Sequence, residues 1–285
     1  VEIKTKITSV FAFFATVAFI LYHGYKINWL ATVVFFLSMF LFDLTTTAIN
    51  NYIDTKTNDQ VLQFKRRTAF IIILVLLFVS TVLGLYLVYL TDLVVLVLGV
   101  LCFLCGIFYT YGPIPISRQP LGEIFSGIFY GFFIPLILIY ANTPPGTILT
   151  LSLEFETISV SIQVVPIVSL ALFSVLPVCT TANIMLANNI CDVERDVAVK
   201  RYTLPYYIGR KWALYLFAGL YYLTYLAVVV MVIFRILPLI CLLFLLTFFP
   251  VHRNISIFMK EQRKDTTFIS SIKNYIIIMG AYTVL

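Results

Sequence analysis

The chain alternates long apolar runs with short polar links. Nine apolar runs of roughly 16–28 residues lie near positions 7–24, 28–50, 68–90, 92–111, 121–141, 161–188, 211–233, 236–251 and 267–285. About 20 apolar residues let a helix cross the hydrocarbon core of a bilayer, and no soluble core requires so many of them. The pattern predicts an all-α polytopic membrane bundle of about nine transmembrane helices, built as a single domain over residues 1–285.

Composition and charge agree with this picture. The chain is 61% hydrophobic and 11% charged, with a mean hydropathy of +1.03. Of its 19 basic residues, 17 fall on the side of the predicted N-terminus, and only Lys26 and Arg235 lie opposite. The positive-inside rule makes that side cytoplasmic, so the net charge of +6 reflects membrane topology and predicts no nucleic-acid partner. We expect a multi-pass protein of the cell membrane.

A first polar motif, DLTTTAINNYIDTKTND, begins inside the second apolar run. Asp43, Thr47, Asn50 and Asp54 share one helical face, so a polar stripe leads into the bundle. An ionisable group at the depth of Asp43 is expensive in a membrane and points to function. For the end of the motif, including Asp59, a solvated loop is a serious alternative.

A second motif, NNICDVERD, ends the sixth run and places Asn188, Asp192 and Asp196 four residues apart. Its alternative is a salt-bridge cluster with neighbouring basic residues. Four crossings separate the two motifs, so both reach the same face. Crowded carboxylates repel unless a cation lies between them, and Mg²⁺ binds through one or two carboxylates plus substrate phosphates. We expect the motifs to share a magnesium–diphosphate, with Lys200 and Arg201 balancing its oxygens.

These motifs resemble the UbiA superfamily of intramembrane prenyltransferases, and most closely its 1,4-dihydroxy-2-naphthoate prenyltransferase (MenA-like) branch. NNYIDTKTND is similar to the family's Asn-Asp-x-x-Asp-x-x-x-Asp signature, and DVERD to its Asp-x-x-x-Asp signature. Two departures stand out: Asn51 replaces a common Asp, and Asp59 follows Asp54 by five residues instead of four. YTYGPIPISRQPLGE, VKRYTLPYYIG and EIKTK resemble further stretches of the branch.

The resemblance implies Mg²⁺-dependent transfer of a polyprenyl group from polyprenyl diphosphate to 1,4-dihydroxy-2-naphthoate in menaquinone biosynthesis, with the active site toward the cytoplasm. The implied catalytic residues are Asp54, Asp192, Asp196 and Lys200. The implied substrate-binding residues are Lys4, Lys6, Asn50, Asn51, Tyr109, Arg118, Asn188 and Arg201. The implied metal ligands are Asn50, Asp54, Asp59, Asn188, Asp192 and Asp196.

Three alternatives stay open. The first is a member of the superfamily with another aromatic acceptor, such as 4-hydroxybenzoate or a porphyrin. The second is an ion-coupled membrane transporter, although transporters usually place their sites at the midplane on broken helices. The carboxylates here cluster at helix ends beside lysines, which favours an enzyme acting on a phosphorylated lipid. The third, a non-catalytic scaffold, would not need two acidic motifs. Glu123 either orients the site or caps the fifth span.

Overall fold

A computed structural model describes residues 6–55, 64–112 and 115–285, with only the backbone of Asp54. The helices are α1 (Ile7–Tyr22), α2 (Trp29–Asp54), α3 (Arg66–Leu90), α4 (Leu93–Thr110), α5 (Gly122–Ile128), α6 (Ile134–Asn142), α7 (Val164–Cys191), α8 (Val193–Ala198), α9 (Leu204–Ile233), α10 (Phe248–Lys260) and α11 (Ile269–Val284). Seven of the nine predicted runs each fall mainly on one of these helices. The run at 121–141 covers both α5 and α6, and the run at 236–251 lies mostly on the 3₁₀ stretch Leu239–Thr247 before α10. The all-α class is confirmed.

Fewer helices meet the length and hydropathy of a membrane span than the nine runs predict. In the described part of the chain, seven helical segments are long and apolar enough to cross a membrane, and α1 is a shorter apolar helix. One segment joins α5 to α6 through a π-helical turn, Phe129–Phe133, and another joins the 3₁₀ stretch Leu239–Thr247 to α10. A multi-pass membrane protein follows from these helices, and the count of nine stays a prediction.

Helix ends are set by local polar groups. The side chain of Asn28 accepts the Ala31 N–H at the start of α2, and Asp92 accepts the Val94 N–H at the start of α4. Such side-chain oxygens satisfy amides that have no partner within the helix. At the end of α2, the Arg66 guanidinium donates to the carbonyl of Thr55 at 3.1 Å. This bond joins α2 to α3 across the first polar link.

The π-helical turn brings the middle of the fifth span against α7. Gly131 lies in this turn, and a Cβ on it would stand 2.3 Å from the backbone nitrogen of Val178. Only glycine allows two backbones to approach so closely. Pro177, which has no N–H to donate within α7, lies at the same crossing.

The link at 142–160, predicted as a polar connection, contains a β-hairpin. Strand β1 (Leu149–Leu153) pairs antiparallel with β2 (Ile158–Ile162), so that Leu151 faces Val160 and Ser152 faces Ser159. The alternation of aliphatic and hydroxyl residues in LTLSL and ISVSI has the period of two that a strand requires. The hairpin therefore has one apolar and one polar face.

The first and last helices close the bundle. Tyr275 of α11 donates its hydroxyl to the carbonyl of Thr8 in α1 at 3.0 Å, although the two residues lie 267 positions apart. Asn142 at the end of α6 accepts the Asn28 N–H at 2.7 Å and also binds Thr32. By contrast, much of α3 and α4 has an exposed apolar surface suited to lipid.

Candidate active site

A cavity of about 970 Å³ lies between the helices and is bordered by both sequence motifs. One part of its wall is aromatic and aliphatic, with residues such as Phe42, Phe103, Phe129, Phe133 and Ile137. The polar part of its wall includes Asn50, Asn51, Arg118, Asn188, Asp192, Arg195, Asp196, Arg201 and Lys264, together with the Lys6 and Asp43 side chains. The same cavity thus offers an apolar interior and a charged rim.

The first motif reaches the cavity through the last turns of α2. Asn50 and Asn51 line it, and the Thr110 hydroxyl donates to Asn50 Oδ1 at 3.2 Å. This contact from α4 fixes the amide of Asn50. Asp54 is the last residue of α2, but its side chain, like Lys4 and Asp59, lies outside the described residues.

The second motif bends where its carboxylates begin. Helix α7 ends at Cys191, Asp192 has a non-helical backbone (φ −105°, ψ 8°), and α8 follows at once. Asn188, Asp192 and Asp196 still line the cavity together. Glu194 is not among the described residues that line the cavity and forms an exposed ion pair with Arg210 at 2.8 Å.

Asp196 has a buried oxygen that lacks a hydrogen bond. Its residue is only 6% exposed, and its Oδ2 accepts no hydrogen bond from any described residue. Arg201 Nε lies 3.8 Å from that oxygen, which is beyond hydrogen-bonding distance. Burial raises the pKa of Asp196, Arg201 lowers this pKa in part, and Asp192 raises it again. A buried carboxylate oxygen of this kind is suited to a cation.

The basic residues around the rim have different surroundings. Arg201 lines the cavity and donates to the Ser117 carbonyl at 2.9 Å, which joins the stretch YTYGPIPISRQPLGE to the segment that follows the second motif. Arg118, in the 3₁₀ turn of that loop, also lines the cavity. Lys200 is exposed in a left-handed turn (φ 56°) and is not among the described residues that form the cavity wall. Its catalytic role stays a prediction without a contact to support it.

Lys6 is buried at the cavity wall, where all three of its ammonium hydrogens have acceptors. They bind Asp43 Oδ1 at 2.6 Å, the Asp43 carbonyl at 2.9 Å and the Thr47 hydroxyl. Asp43 also accepts from Ser9 and from Tyr130 of the π-helical turn, each at 2.6 Å. In the structure the ammonium of Lys6 is paired with Asp43. The predicted contact of Lys6 with diphosphate would therefore require the ammonium to exchange partners.

Two further predicted positions occupy defined places. Tyr109 lines the cavity, and its buried hydroxyl has no hydrogen-bond partner among the described residues. Glu123 lies in the first turn of α5 and accepts the Asn189 amide at 2.8 Å, so it connects α5 to the second motif. The polar atom of Tyr109 is thus available to a ligand. The contact of Glu123 with Asn189 supports its orienting role, and no side-chain capping hydrogen bond is seen at the described start of α5.

The sequence interpretation missed Lys264, which lies in the linker between α10 and α11. Its ammonium donates to Asn188 Oδ1 at 2.6 Å and also binds Asp192. Nothing in the linker sequence EQRKD distinguishes this lysine from its neighbours, because the contact depends on how the ends of four helices meet. Arg195 was assigned only to a possible salt-bridge cluster, yet it lines the cavity.

The donor set fits a magnesium ion that is shared with a substrate. No three His, Cys, Asp or Glu side chains in the described ranges converge on one point. Asp192 and Asp196, with the unsatisfied Asp196 oxygen, supply the one or two carboxylates that Mg²⁺ uses when phosphates complete its shell. By its spacing in the sequence, Asp54 shares a helical face with Asn50 of the first motif.

The fold and the site together define a multi-pass helical membrane protein with an amphipathic cavity and an acidic, amide-rich rim. The chain belongs to the UbiA prenyltransferase family, whose model matches residues 11–272. The family assignment made from the motifs is therefore confirmed.

Individual relatives agree with this family. Over 155 residues the chain is 30% identical to the 1,4-dihydroxy-2-naphthoate octaprenyltransferase of Bacillus subtilis (strain 168), a match that covers 54% of this chain and 43% of that relative. The matched stretch is thus less than half the length of that protein.

Solved structures show the same fold at low sequence identity. The apo structure of a UbiA homolog from Aeropyrum pernix K1 superimposes with a TM-score of 0.71 at 17% identity, covering 99% of this chain and 98% of the other. A UbiA homolog from Archaeoglobus fulgidus bound to DMAPP and Mg²⁺ gives a TM-score of 0.62 at 13% identity, with coverage of 99% and 98%.

Proposed function

We propose that this chain is a Mg²⁺-dependent prenyltransferase that moves a polyprenyl group from polyprenyl diphosphate to 1,4-dihydroxy-2-naphthoate, a step of menaquinone biosynthesis. The observation that carries the proposal is the single cavity shared by both motifs, with a charged rim and an apolar interior. Family membership favours a transferase over an ion-coupled transporter. The similarity to the naphthoate enzyme of Bacillus subtilis supports the acceptor.

The rim has the groups that a diphosphate requires. Mg²⁺, when bound, neutralises the charge that develops on the diphosphate as the allylic C–O bond breaks. Asp192, Asp196 and, by its place in the first motif, Asp54 would hold the metal, with Asn50 and Asn188 as amide-oxygen ligands. Arg201 and Arg195 add positive charge on the same wall. That a UbiA homolog from Archaeoglobus fulgidus was solved with GPP and Mg²⁺ supports this assignment.

The interior has the surface that a prenyl chain requires. Phe42 and Phe103 stack with ring centroids 3.9 Å apart, and Phe129 and Phe133 stack at 4.7 Å. All four rings line the cavity. Ring faces attract a cation within about 6 Å, so these aromatic residues would shield an allylic cation from water while it awaits the acceptor.

The acceptor must be an electron-rich ring that carries an acid group. Arg118 lines the cavity near the second motif and offers the guanidinium that pairs best with a carboxylate. Attack on the allylic cation by the ring carbon that bears the carboxylate would form the new C–C bond. Loss of that carboxylate as CO₂ would return the electron pair of its bond to the ring and restore aromaticity. The two hydroxyl groups supply the electron density for that attack.

A competition assay tests the acceptor. Purified protein, one prenyl diphosphate and Mg²⁺ are incubated with equal amounts of 1,4-dihydroxy-2-naphthoate and 4-hydroxybenzoate, and products are read by mass spectrometry. We expect a prenylated naphthalene that has lost CO₂, no product with EDTA, and recovery with excess Mg²⁺. Prenylated hydroxybenzoate alone would overturn the acceptor, and full activity in EDTA would overturn the metal.

We further propose that the cavity rim faces the cytoplasm, on the basis of the distribution of basic residues. In a variant without native cysteines, Ala198→Cys, at the end of α8, should react only with a thiol reagent that has cytoplasmic access. Thr157→Cys, in the turn of the hairpin, is the matched control and should react from outside. The reverse pattern of labelling would contradict the orientation.

A further inference from the structure

In the described structure, Lys264 of the α10–α11 linker contacts the second motif through its ammonium group. The ammonium donates to Asn188 Oδ1 at 2.6 Å and forms an ion pair with Asp192. It thereby binds two oxygens that the proposed function gives to the metal. The side chain of Lys264 is 47% exposed, whereas that of Asp192 is 16% exposed. The lysine therefore approaches the carboxylate from the solvent side.

Hydrogen bonds fix the backbone of the linker, whereas the side chain of Lys264 is long and has many rotatable bonds. The amides of Thr267 and Phe268 both donate to the Arg263 carbonyl, at 3.0 and 2.9 Å, and the Arg263 amide donates to Thr267 Oγ1 at 2.8 Å. The guanidinium of Arg263 also pairs with Asp265 at 2.8 Å. This closed turn keeps the Cα of Lys264 beside the rim, while its four-carbon stem leaves the ammonium able to change partners.

An ammonium and a divalent ion that bind the carboxylate of Asp192 repel each other, so each disfavours the binding of the other. Lys264 compensates the charge of Asp192, whereas Asp196 Oδ2 has no hydrogen-bond partner among the described residues. We propose that Lys264 is the counter-ion of Asp192 in the substrate-free enzyme, and that its ammonium transfers to the diphosphate when Mg²⁺ and the prenyl diphosphate bind. This inference rests on the proposed function.

The exchange predicts two effects of opposite sign. Without a diphosphate, the ammonium competes with a divalent ion for Asn188 and Asp192, so it weakens binding of the ion alone. With the diphosphate present, the same positive charge has new acceptor oxygens, so it strengthens binding of the substrate. A lysine with only a structural role would not shift the two affinities in opposite directions.

Binding measurements on Lys264→Gln test this exchange without any turnover. Mn²⁺ binding to the protein alone is followed by electron paramagnetic resonance. Binding of a non-reactive thio analogue of geranyl diphosphate at saturating Mg²⁺ is followed by calorimetry. Since a charge-assisted contact contributes about 1 kcal/mol at a half-exposed site, we expect Mn²⁺ to bind about fivefold more tightly and the diphosphate about fivefold more weakly.

Two further variants serve as controls. Lys260→Gln removes the same charge from the end of α10, where the exposed side chain makes no hydrogen bond or ion pair within the described ranges, and should leave both affinities unchanged. Lys264→Arg keeps the charge and should retain most of the binding of the diphosphate. The melting temperature of each variant should match that of the wild type, because the Lys264 contact is partly exposed.

The outcomes separate this inference from the proposed function. If the wild type binds Mn²⁺ and the diphosphate but Lys264→Gln changes neither affinity, or changes both in the same direction, the exchange is overturned and the function stands. Equal effects of Lys260→Gln and Lys264→Gln would also overturn it, because general charge would then explain the result. If the wild type binds neither ligand, the proposed function fails and the inference fails with it.

Discussion

Replacing Asp196 by Asn is expected to lower kcat/KM by about 10³-fold or more, with the fold intact. The carboxylate is buried, lines the cavity and has an oxygen without a hydrogen bond from any described residue. Burial raises its pKa, and the neighbouring Arg201 lowers this pKa in part. Asn has nearly the same shape but no charge to hold Mg²⁺, so the loss should appear in catalysis more than in stability.

Glu194→Gln is the matched control for this variant. Glu194 lies two residues away on the same short helix, but it is exposed and paired with Arg210. Surface ion pairs contribute about 0–1 kcal/mol, so this variant should keep nearly wild-type kcat/KM. Steady-state kinetics and a melting curve for each variant would check the expectation. Similar losses in the two variants, or an active Asp196→Asn, would show that Asp196 holds no metal.

The buried pair of Lys6 and Asp43 should dominate the stability of the cavity wall. Replacing Lys6 by Met is expected to destabilise the protein by about 3–5 kcal/mol, because it leaves the charge of Asp43 buried without a counter-ion. Both side chains are only 4% exposed, and their shortest contact is 2.6 Å. Ser9 and Tyr130 would still donate to Asp43, but neutral hydroxyl groups do not replace a charge.

A double-mutant cycle measures this coupling directly. Asp43→Asn alone should also be destabilising, because the ammonium then loses its charged partner. The combined variant Lys6→Met with Asp43→Asn should be more stable than the two single losses predict by addition. Unfolding in detergent is the measurement, and Arg210→Gln, which breaks an exposed pair, is the control. Additive losses would show that Lys6 is available to other partners, including the diphosphate.

The sequence alone predicted the membrane bundle and the two halves of the site. Apolar runs of about 20 residues are stable as helices in a bilayer, so the positions of the helices followed from composition and length. The four-residue spacing of Asn188, Asp192 and Asp196 also predicted a common face, and all three residues line the cavity even though α7 ends at Cys191. Spacing along one helix is a local property, and local properties can be read from a chain.

Only the tertiary structure decided which distant groups meet. Lys264 contacts Asn188 over 76 positions, and Tyr130 contacts Asp43 over 87. It also decided that Lys6 pairs with Asp43, and that Arg201 lines the cavity while the exposed Lys200 is not among the described residues of its wall. Such contacts depend on helix packing angles, on a π-helical turn and on the course of each linker. The sequence therefore determined the positions of the helices and of the polar motifs along them, and packing determined the partner of each charged group.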